Sequence, residues 1–348
     1  MTPTPVPPAS ANLAGGLARV LSDAWDCEVE VTNLAESSAG ARRRNVAFDA
    51  TPKGMPTTPK GLPTAELVVT VVPRGAMGLN SVTAEAQMRR LARERGVPVP
   101  EVIVASEDES SLGGPFFISE RVAGETVPRR VLRLVHETGI GELLAGQLGT
   151  ALARLHRIDP ADAPDGMLDP GDRPPSEAAL EDLETSMREL GVLDRPALAL
   201  GMRWLERRLP KTPGRLSVVH TDVRNGNLIV GADGLRAVLD WEGARRHGDP
   251  MEDLAWPALR MWRFREDRLE VGGFAAREPL VDAYLADGGD FDEERMEWWK
   301  VLGTLRWAVG LYAQASAHLS GTFPSIIMAA SGRRVAEMEW DLLMLIRP

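Results

Sequence analysis

The sequence lacks the features that cross-link a protein or anchor it in a membrane. Cys27 is the single cysteine among 348 residues, which excludes an intrachain disulfide and a zinc site built from several cysteines. The sequence contains no run of about 18 apolar residues, so it predicts no transmembrane helix. The first residues lack the basic start and apolar core of a signal peptide. We therefore expect a cytoplasmic protein.

An excess of positive charge is also missing. The chain has 40 Lys and Arg against 50 Asp and Glu, a formal net charge of −10 and a pI near 5.2. This balance argues against general binding to nucleic acid or to anionic membranes. The content of hydrophobic residues, 44%, and of charged residues, 26%, is typical of a globular protein. The length allows two lobes, each with its own core.

The stretch 216–256 organises the rest of the chain. Its apolar start, 216–219, predicts a short buried strand that delivers Asp222 just beyond its end, and Asn227 follows five residues later. Two apolar segments around a Gly-Ala-Asp-Gly turn, at 228–239, predict a β-hairpin that ends on Asp240. Because a hairpin returns the chain to its starting point, we expect these three polar side chains to lie close together.

Two carboxylates and an amide oxygen form a donor set that suits Mg²⁺, which keeps several waters and shares the remaining positions with phosphate oxygens. One carboxylate can stay off the metal and act as a base. Residues of these types also cap helices and form turns, which would explain an isolated triplet. Here the apolar runs on both sides and the second aspartate favour a functional site.

These residues carry a resemblance. The pattern His220-x-Asp222-x-x-x-x-Asn227, with Asp240 thirteen residues later, resembles the catalytic loop and metal aspartate of the aminoglycoside and choline kinase-like phosphotransferases, relatives of protein kinases. Segments 254–264, 298–318 and 332–343 resemble the phosphotransferase domain fused to some acyl-CoA dehydrogenases.

The resemblance implies an α+β, two-lobed protein-kinase-like fold. A small antiparallel-sheet N-lobe, residues 1–122, would bind the nucleotide. A larger, mostly helical C-lobe, residues 123–348, would carry the catalytic loop, the metal site and the acceptor pocket.

The resemblance also assigns roles to single residues. Asp222 would act on the acceptor hydroxyl, while Asn227 and Asp240 would hold Mg²⁺. Arg224 lies two residues beyond Asp222, where protein kinases place a lysine close to the transferred phosphate, and a forked, permanently charged side chain suits that position. His220 belongs to the same catalytic loop. The implied cofactors are Mg²⁺ and ATP, with GTP as a possible donor.

Nucleotide contacts are expected in the N-lobe. A turn with small residues would let backbone N–H groups approach the phosphates, although such a turn can also be a plain hairpin. A helix predicted over 81–95 offers a glutamate, and the strand at 115–122 would meet the adenine ring. The residues implied are Ser38, Gly40, Glu85, Ser119, Glu120 and Val122.

The strand predicted at 67–72 departs from the family pattern. Kinase-like enzymes carry a Lys or Arg there that holds the nucleotide phosphates and pairs with the helix glutamate, whereas this chain has Thr70. Replacement candidates are Arg74, Lys60 and Arg44. The basic run Arg42, Arg43 and Arg44 fits phosphate steering and a solvated turn equally well.

The expected function is ATP-dependent phosphotransfer to a hydroxyl of a small molecule, and the sequence leaves the acceptor open. A hydroxyacyl thioester of CoA would need a basic patch, for which the candidates are Arg129, Arg130 and Arg133. An aminoglycoside or amino alcohol would need acidic residues, for which the candidates are Glu181, Asp182 and Glu184. The alternative suggested by Thr70 is a catalytically weak or inactive kinase-like binding or regulatory protein. Oligomeric state is not predicted.

Residues around this stretch are expected to be structural. Asp249 precedes Pro250 at a predicted helix start and should cap it, and Asp253 should brace the loop. Trp241 should pack, and His156 should pack or cap a helix, with contact to the catalytic loop as the alternative. Glu242 could serve a second metal or the acceptor, or make a structural hydrogen bond.

Overall fold

The computed structural model describes residues 8–36, 43–54, 57–72, 80–171 and 173–347, with the backbone alone at 8–11. It divides into two compact units. Unit 1 comprises Met1–Ala123, Pro164–Met167 and Ala237–Gly243, and unit 2 comprises Gly124–Ala163, Leu168–Arg236 and Ala244–Pro348. The division at 122/123 remains a prediction about domains. Asp240 belongs to unit 1, because this unit also contains Ala237–Gly243.

Unit 1 is built on a five-stranded antiparallel sheet in the order β1-β2-β3-β5-β4. Its strands are β1 (Val29–Glu36), β2 (Arg44–Pro52), β3 (Ala65–Val71), β4 (Val102–Ser106) and β5 (Phe116–Glu120), and its helices are α1 (Pro8–Trp25), α2 (Val82–Glu94) and α3 (Glu109–Leu112). The register of β2 and β3 sets Asn45 opposite Thr70 and Arg44 opposite Val71. The sheet confirms the strands predicted at 67–72 and 115–122, and α3 lies between β4 and β5. There Asp108 caps a short helix by accepting a hydrogen bond from Ser110 N at 2.9 Å.

The two faces of the sheet follow from the period-2 alternation of side chains. One face buries Phe48, Val69 and Ile118 in a core with Leu17 and Leu21 of α1. Each such side chain stabilises the fold by roughly 1.5–3 kcal/mol when fully buried.

The opposite face contributes Phe117 to a second core with Val82 and Ala86 of α2. Thr70 and Asn45 share this face, since Phe117 and Asn45 both pair with Thr70 in the ladder. The sheet face toward α2 is therefore partly polar.

Helix α2 confirms the prediction for 81–95. Ser81 caps it by accepting a hydrogen bond from Ala84 N at 3.2 Å, as a serine before the first turn favours. The helix buries two charged residues, Glu85 and Arg89, one turn apart. Buried charges need charged or hydrogen-bonding partners, so this face of α2 does more than pack apolar side chains.

The segment Ala237–Gly243 is fixed within unit 1 by backbone contacts. Val238 N donates to Pro98 O at 2.8 Å, and Asn80 N donates to Glu242 O at 3.0 Å. Trp241 is fully buried, and its indole donates to Val238 O at 3.0 Å, which confirms its packing role. These contacts hold Asp240 in a defined segment.

Unit 2 is mostly helical. Its helices are α4 (Pro128–Thr138), α5 (Gly141–His156), α6 (Pro175–Glu189), α7 (Pro196–Arg207), α8 (Pro250–Ala255), α9 (Glu278–Ala286), α10 (Glu293–Leu319), α11 (Ile326–Ser331) and α12 (Val335–Ile346). Helix α5 packs on α9, and α10 packs on α7, α8, α11 and α12. Gly149 permits the α5–α9 approach, because a Cβ there would lie 2.2 Å from Leu280 O. No helix in the described part of the chain is long and apolar enough to span a bilayer.

Four short strands flank the polar loop at 220–227. They are β6 (Ser217–Val219), β7 (Leu228–Gly231), β8 (Gly234–Val238) and β9 (Arg245–Gly248). β6 pairs with β9, and β7 with β8, which confirms the predicted strand and hairpin. An antiparallel sheet followed by helices confirms the α+β class.

Candidate active site

The loop after β6 is fixed from below by one buried carboxylate. Asp253 of α8 accepts a hydrogen bond from His220 N at 2.7 Å through Oδ2 and from Thr221 N at 2.6 Å through Oδ1. Thr221 has a φ of 72°, in the left-handed region that a β-branched residue rarely adopts. Such a conformation costs roughly 1–3 kcal/mol, so the two hydrogen bonds to Asp253 help to hold it.

Asp253 is itself held by a buried polar chain. His156 Nε2 lies 3.1 Å from Asp253 Oδ2, and His156 Nδ1 lies 2.9 Å from the hydroxyl of Tyr284. Burial is the largest influence on Asp253 and raises its pKa, but the contacts with His156 and the His220 backbone outweigh it, so the pKa is lowered. Burial also raises the pKa of Tyr284 above its usual range. The predicted bracing role of Asp253 and packing role of His156 are confirmed.

Asp249, at the start of α8, also has the predicted role. Its side chain accepts a hydrogen bond from Met251 N at 3.0 Å and so caps the helix. Burial raises its pKa, although Trp299 donates a hydrogen bond to it and Arg295 lies 3.2 Å away. The helix that carries Asp253 is thus anchored at its first turn.

Asp222 presents a carboxylate held by three donors. Its Oδ1 accepts from Arg224 Nε at 3.0 Å and from Trp256 Nε1 at 2.7 Å. Its Oδ2 accepts from Asn227 Nδ2 at 2.6 Å. The side chain is still 29% exposed, so solvent or a small ligand can reach it. A carboxylate that is oriented and reachable can accept a proton or a hydrogen bond from a hydroxyl.

The neighbours of Asp222 divide into a buried and an accessible group. His220 is fully buried, and its Nδ1 accepts from Asp222 N at 3.3 Å. Its burial and this hydrogen bond suit His220 to positioning the loop, and a catalytic role for it stays a prediction. The guanidinium of Arg224 lies 4.5 Å above the Trp262 ring, and its side chain is 22% exposed. Stacking restricts Arg224 while leaving its charge near the Asp222 carboxylate.

Asn227 is hydrogen-bonded to Asp222 of the same loop. Its amide nitrogen donates to the backbone oxygen of Asp222 at 2.9 Å as well as to the carboxylate. Because the nitrogen faces these acceptors, the amide oxygen is the atom that can ligate a cation. The structure therefore brings Asp222, Arg224, His220 and Asn227 together in unit 2.

Asp240 and Glu85 both lie in unit 1. Asp240 has a φ of 66° and is half-buried, and its carboxylate makes no hydrogen bond or ion pair with the residues that the structure describes. Glu85 is 1% exposed and accepts a hydrogen bond from Arg43 Nη1 at 2.6 Å. Arg43 Nε also lies 2.8 Å from Glu242 Oε2. A half-buried carboxylate such as that of Asp240, which forms no ion pair within the described ranges, fits a cation ligand.

Two of the candidates to replace the missing cation at Thr70, Lys60 and Arg44, are paired with other glutamates. Thr70 donates a hydrogen bond to Asn45 Oδ1 at 2.7 Å. Lys60 pairs with Glu101 at 2.6 Å and with Glu120 at 2.7 Å, and Arg44 pairs with Glu36 at 2.8 Å. Arg74 lies outside the described residues. Arg43, which sequence reasoning left open between a functional and a solvated role, meets Glu85 instead.

The other residues predicted to contact the nucleotide differ in burial and in whether their side chains are already paired. Ser38 and Gly40 lie outside the described residues. Ser119 is buried in β5, and Val122 is half-buried just beyond it. The Glu120 carboxylate is occupied: burial raises its pKa, but the hydrogen bond from Lys60 and other contacts outweigh this effect and lower it. At this position the backbone is therefore a better candidate than the side chain for a nucleotide contact, and all these contacts stay predictions.

Among the described residues, no group of three or more His, Cys, Asp and Glu side chains could hold a metal ion. The donor set predicted here differs, because it includes the amide of Asn227 and leaves positions for phosphate oxygens and water. The chemistry of these donors fits Mg²⁺.

The sequence matches the model of a known protein family. The sequence model of the phosphotransferase enzyme family matches residues 38–299, which include Asp222, Asn227 and Asp240. The chain belongs to this family. Its fold class and the resemblance carried by the catalytic loop are thereby confirmed.

Two curated relatives of this phosphotransferase-family chain are much longer proteins. Acyl-CoA dehydrogenase family member 10 of Mus musculus is 26% identical over 303 residues, which cover 82% of this chain and 28% of that protein. Acyl-CoA dehydrogenase family member 11 of Gallus gallus is 29% identical over 211 residues, 58% of this chain and 26% of that protein. The chain thus spans about a quarter of the length of the curated relatives it matches.

Solved structures show the same fold at low identity. A proposed aminoglycoside phosphotransferase from Ralstonia eutropha has a TM-score of 0.67 and 18% identity, covering 95% of this chain and 97% of its own. A thermostable mutant of aminoglycoside phosphotransferase APH(4)-Ia, in a ternary complex with AMP-PNP and hygromycin B, has a TM-score of 0.60 and 19% identity, covering 94% and 98%. These structures establish a kinase-like fold for the phosphotransferase-family chain.

Proposed function

We propose that this chain is a Mg²⁺-dependent kinase that transfers the γ-phosphate of ATP to a hydroxyl of a small molecule. The observation that carries the proposal is the Asp222 carboxylate, which is accessible and yet held by Arg224, Trp256 and Asn227. Membership of the phosphotransferase family supports the reaction class. The complex of a structural neighbour with AMP-PNP supports a nucleotide donor.

Asp222 would accept the hydrogen bond of the acceptor hydroxyl and take its proton as the new phosphate ester forms. Positioning of that oxygen is the main contribution of the loop, since phosphoryl transfer depends largely on alignment and charge stabilisation. The clamp from Asp253 supplies the rigidity that such alignment needs. Arg224 would stabilise negative charge on the transferred group.

Asn227 and Asp240 would hold the magnesium ion through an amide oxygen and a carboxylate. When bound, Mg²⁺ neutralises negative charge on the nucleotide phosphates. This role accounts for the carboxylate of Asp240, which makes no hydrogen bond or ion pair within the described ranges. It also accounts for the orientation of the Asn227 amide, whose nitrogen is occupied by Asp222.

The charges of unit 2 favour a hydroxyacyl thioester of CoA among the predicted acceptors. Arg129, Arg130 and Arg133 are exposed on α4 and form no ion pair with any residue in the described part of the chain. The acidic candidates are already engaged: Glu181 lies 3.0 Å and Asp182 3.8 Å from Arg173, and Glu184 lies 2.5 Å from Arg188. The similarity to two acyl-CoA dehydrogenase family members points the same way.

A second candidate function follows from Thr70. Without a basic residue at that place on β3, the chain could be a kinase-like binding protein with little or no turnover. The two functions differ in one measurable respect: an enzyme transfers phosphate and a binding protein does not.

The test is transfer of label from γ-labelled ATP in the presence of Mg²⁺. Hydroxyacyl-CoA, choline and an aminoglycoside would be offered separately to the wild type and to Asp222→Asn. We expect a labelled ester with hydroxyacyl-CoA, made by the wild type only. Transfer to choline or to the aminoglycoside alone would overturn the acceptor assignment, and no transfer to any acceptor would favour the binding protein.

A further inference from the structure

Glu85 has a buried cationic partner although β3 offers none. Arg43 Nη1 donates to Glu85 Oε2 at 2.6 Å, and the two side chains are only 9% and 1% exposed. Arg43 comes directly before β2, not from β3, where Thr70 stands. In kinase-like enzymes the partner of this helix glutamate is the residue that holds the nucleotide phosphates. The question is whether Arg43 can do the same from the neighbouring strand.

The register of the sheet places Arg43 within reach. Asn45 lies opposite Thr70, and Arg43 is two residues before Asn45, so it extends from the same face of the sheet. Diagonal neighbours of this kind are roughly 7–8 Å apart, a gap that a long side chain spans. The guanidinium of Arg43 can therefore occupy the place that the charge of a basic side chain at residue 70 would occupy.

The surroundings of Arg43 suit a residue that binds anions. Burial is the largest influence and lowers its pKa, but Glu85, Glu242 and Asp240 outweigh it and raise the pKa, so the guanidinium stays charged. Nη2 is buried and has no hydrogen-bond partner among the described residues. A buried donor left unpaired is costly, which points to a ligand that completes it.

Other basic residues of unit 1 are less suited. Arg89 is also buried near Glu85, but its guanidinium lies 4.5 Å above the Phe117 ring and 3.9 Å from the glutamate. Burial lowers the pKa of Arg89 overall, whereas nearby carboxylates raise that of Arg43 despite burial. Lys60 and Arg44 are 40% and 41% exposed and pair with other glutamates. Arg43 alone among these four makes a close ion pair with Glu85.

We propose that Arg43 binds the phosphates of the nucleotide in place of the basic residue that Thr70 replaces. The planar guanidinium presents parallel N–H donors that match phosphate oxygens, which a single ammonium group does not. Glu85 and Glu242 orient it. The inference rests on the proposed function, since it assumes a nucleotide donor.

The test separates contact with phosphate from a purely structural role. Dissociation constants for adenosine and for Mg²⁺·AMP-PNP would be measured by calorimetry on the full chain, for the wild type and for Arg43→Ala. Loss of a charged hydrogen bond predicts at least about tenfold weaker AMP-PNP binding. Adenosine affinity should change less than about twofold, within the error of such comparisons. Arg44→Ala, which removes the neighbouring exposed arginine, is the matched control and should resemble the wild type for both ligands.

Two further variants sharpen the test, and the first of them keeps it decisive if Arg43→Ala does not fold. Arg43→Met combined with Glu85→Gln removes both buried charges together and avoids leaving one of them unpaired. It should show the same selective loss for AMP-PNP. Thr70→Lys in the Arg43→Ala background should restore much of the phosphate-dependent affinity from the neighbouring strand.

The possible outcomes are distinguishable. Unchanged AMP-PNP affinity in Arg43→Ala, or equal losses for adenosine and AMP-PNP, would overturn the role of Arg43 while wild-type phosphotransfer left the proposed function intact. A wild type that binds no nucleotide would overturn both. Selective loss for AMP-PNP, alongside normal AMP-PNP binding by Asp222→Asn, would establish the inference.

Discussion

The carboxylates of the catalytic loop and those of unit 1 are held in different ways. Asp222 takes two of its donors from the same loop, since Arg224 and Asn227 follow it within five residues. Glu85 takes its partner, Arg43, from 42 residues earlier in the chain. The first arrangement depends on local spacing and the second on strand register. A short sequence motif specifies the local arrangement. In the long-range arrangement, the basic residue that pairs with Glu85 can come from either of two neighbouring strands.

The largest expected effect is the loss of turnover in Asp222→Asn. The substitution keeps the size of the side chain but removes its ability to take a proton, which predicts a fall in transfer rate of about 100-fold to 10,000-fold. Affinity for Mg²⁺·AMP-PNP should stay near that of the wild type, as measured by calorimetry. Retained turnover would show that the carboxylate of the local motif is not the base.

Asp253→Asn tests the clamp beneath the same loop. The substitution removes a charge that two backbone amides and His156 share, and breaking a buried arrangement of this kind costs about 3–5 kcal/mol. Thermal unfolding should show a large fall in the midpoint. Asp233→Asn, in an exposed turn, is the control and should change the free energy of unfolding by less than about 0.5 kcal/mol. Equal midpoints for the two variants would contradict the account.

Glu85→Gln tests the long-range arrangement of unit 1. Arg43 would lose its closest charged partner, and we expect about fivefold weaker binding of Mg²⁺·AMP-PNP as its orientation relaxes. Glu36→Gln removes the glutamate that pairs with the adjacent, exposed Arg44, and should leave the affinity unchanged. Similar affinities for both variants would mean that Glu85 does not orient a phosphate-binding residue.

The smallest expected effect is a pH dependence from Asp253. Its pKa is lowered in the folded protein, so its contribution to stability is present above the unfolded value, about 3.9, and disappears as the pH falls through the folded value. The difference in unfolding midpoint between the wild type and Asp253→Asn should thus be steady near neutral pH and shrink below about pH 4. A difference that grew on acidification would have the wrong sign.

The features predicted well are those that local patterns encode. The apolar run before Asp222 became β6, and the Gly-Ala-Asp-Gly turn became the β7–β8 hairpin. Asp249 caps its helix as predicted, because a side-chain oxygen two residues before a free amide acts locally. Family membership then confirmed the fold class.

Features that depend on register or on distant partners were missed. Arg43 sits in a run of three arginines, and nothing local distinguishes the buried one from the exposed Arg44. The link from His156 to Tyr284 joins residues 128 positions apart. Side chains alternate between the two faces of a strand. This alternation, applied to the three arginines and to Thr70, is the one signal that could have identified Arg43.

The most direct test of the account is phosphorus NMR of the wild-type protein with Mg²⁺, ATP and hydroxyacyl-CoA. We expect a new phosphate-ester resonance that grows together with ADP and requires the hydroxyl of the acceptor. A protein that binds Mg²⁺·AMP-PNP but forms neither ester nor ADP, with this acceptor, choline or an aminoglycoside, would contradict it and would be a nucleotide-binding protein.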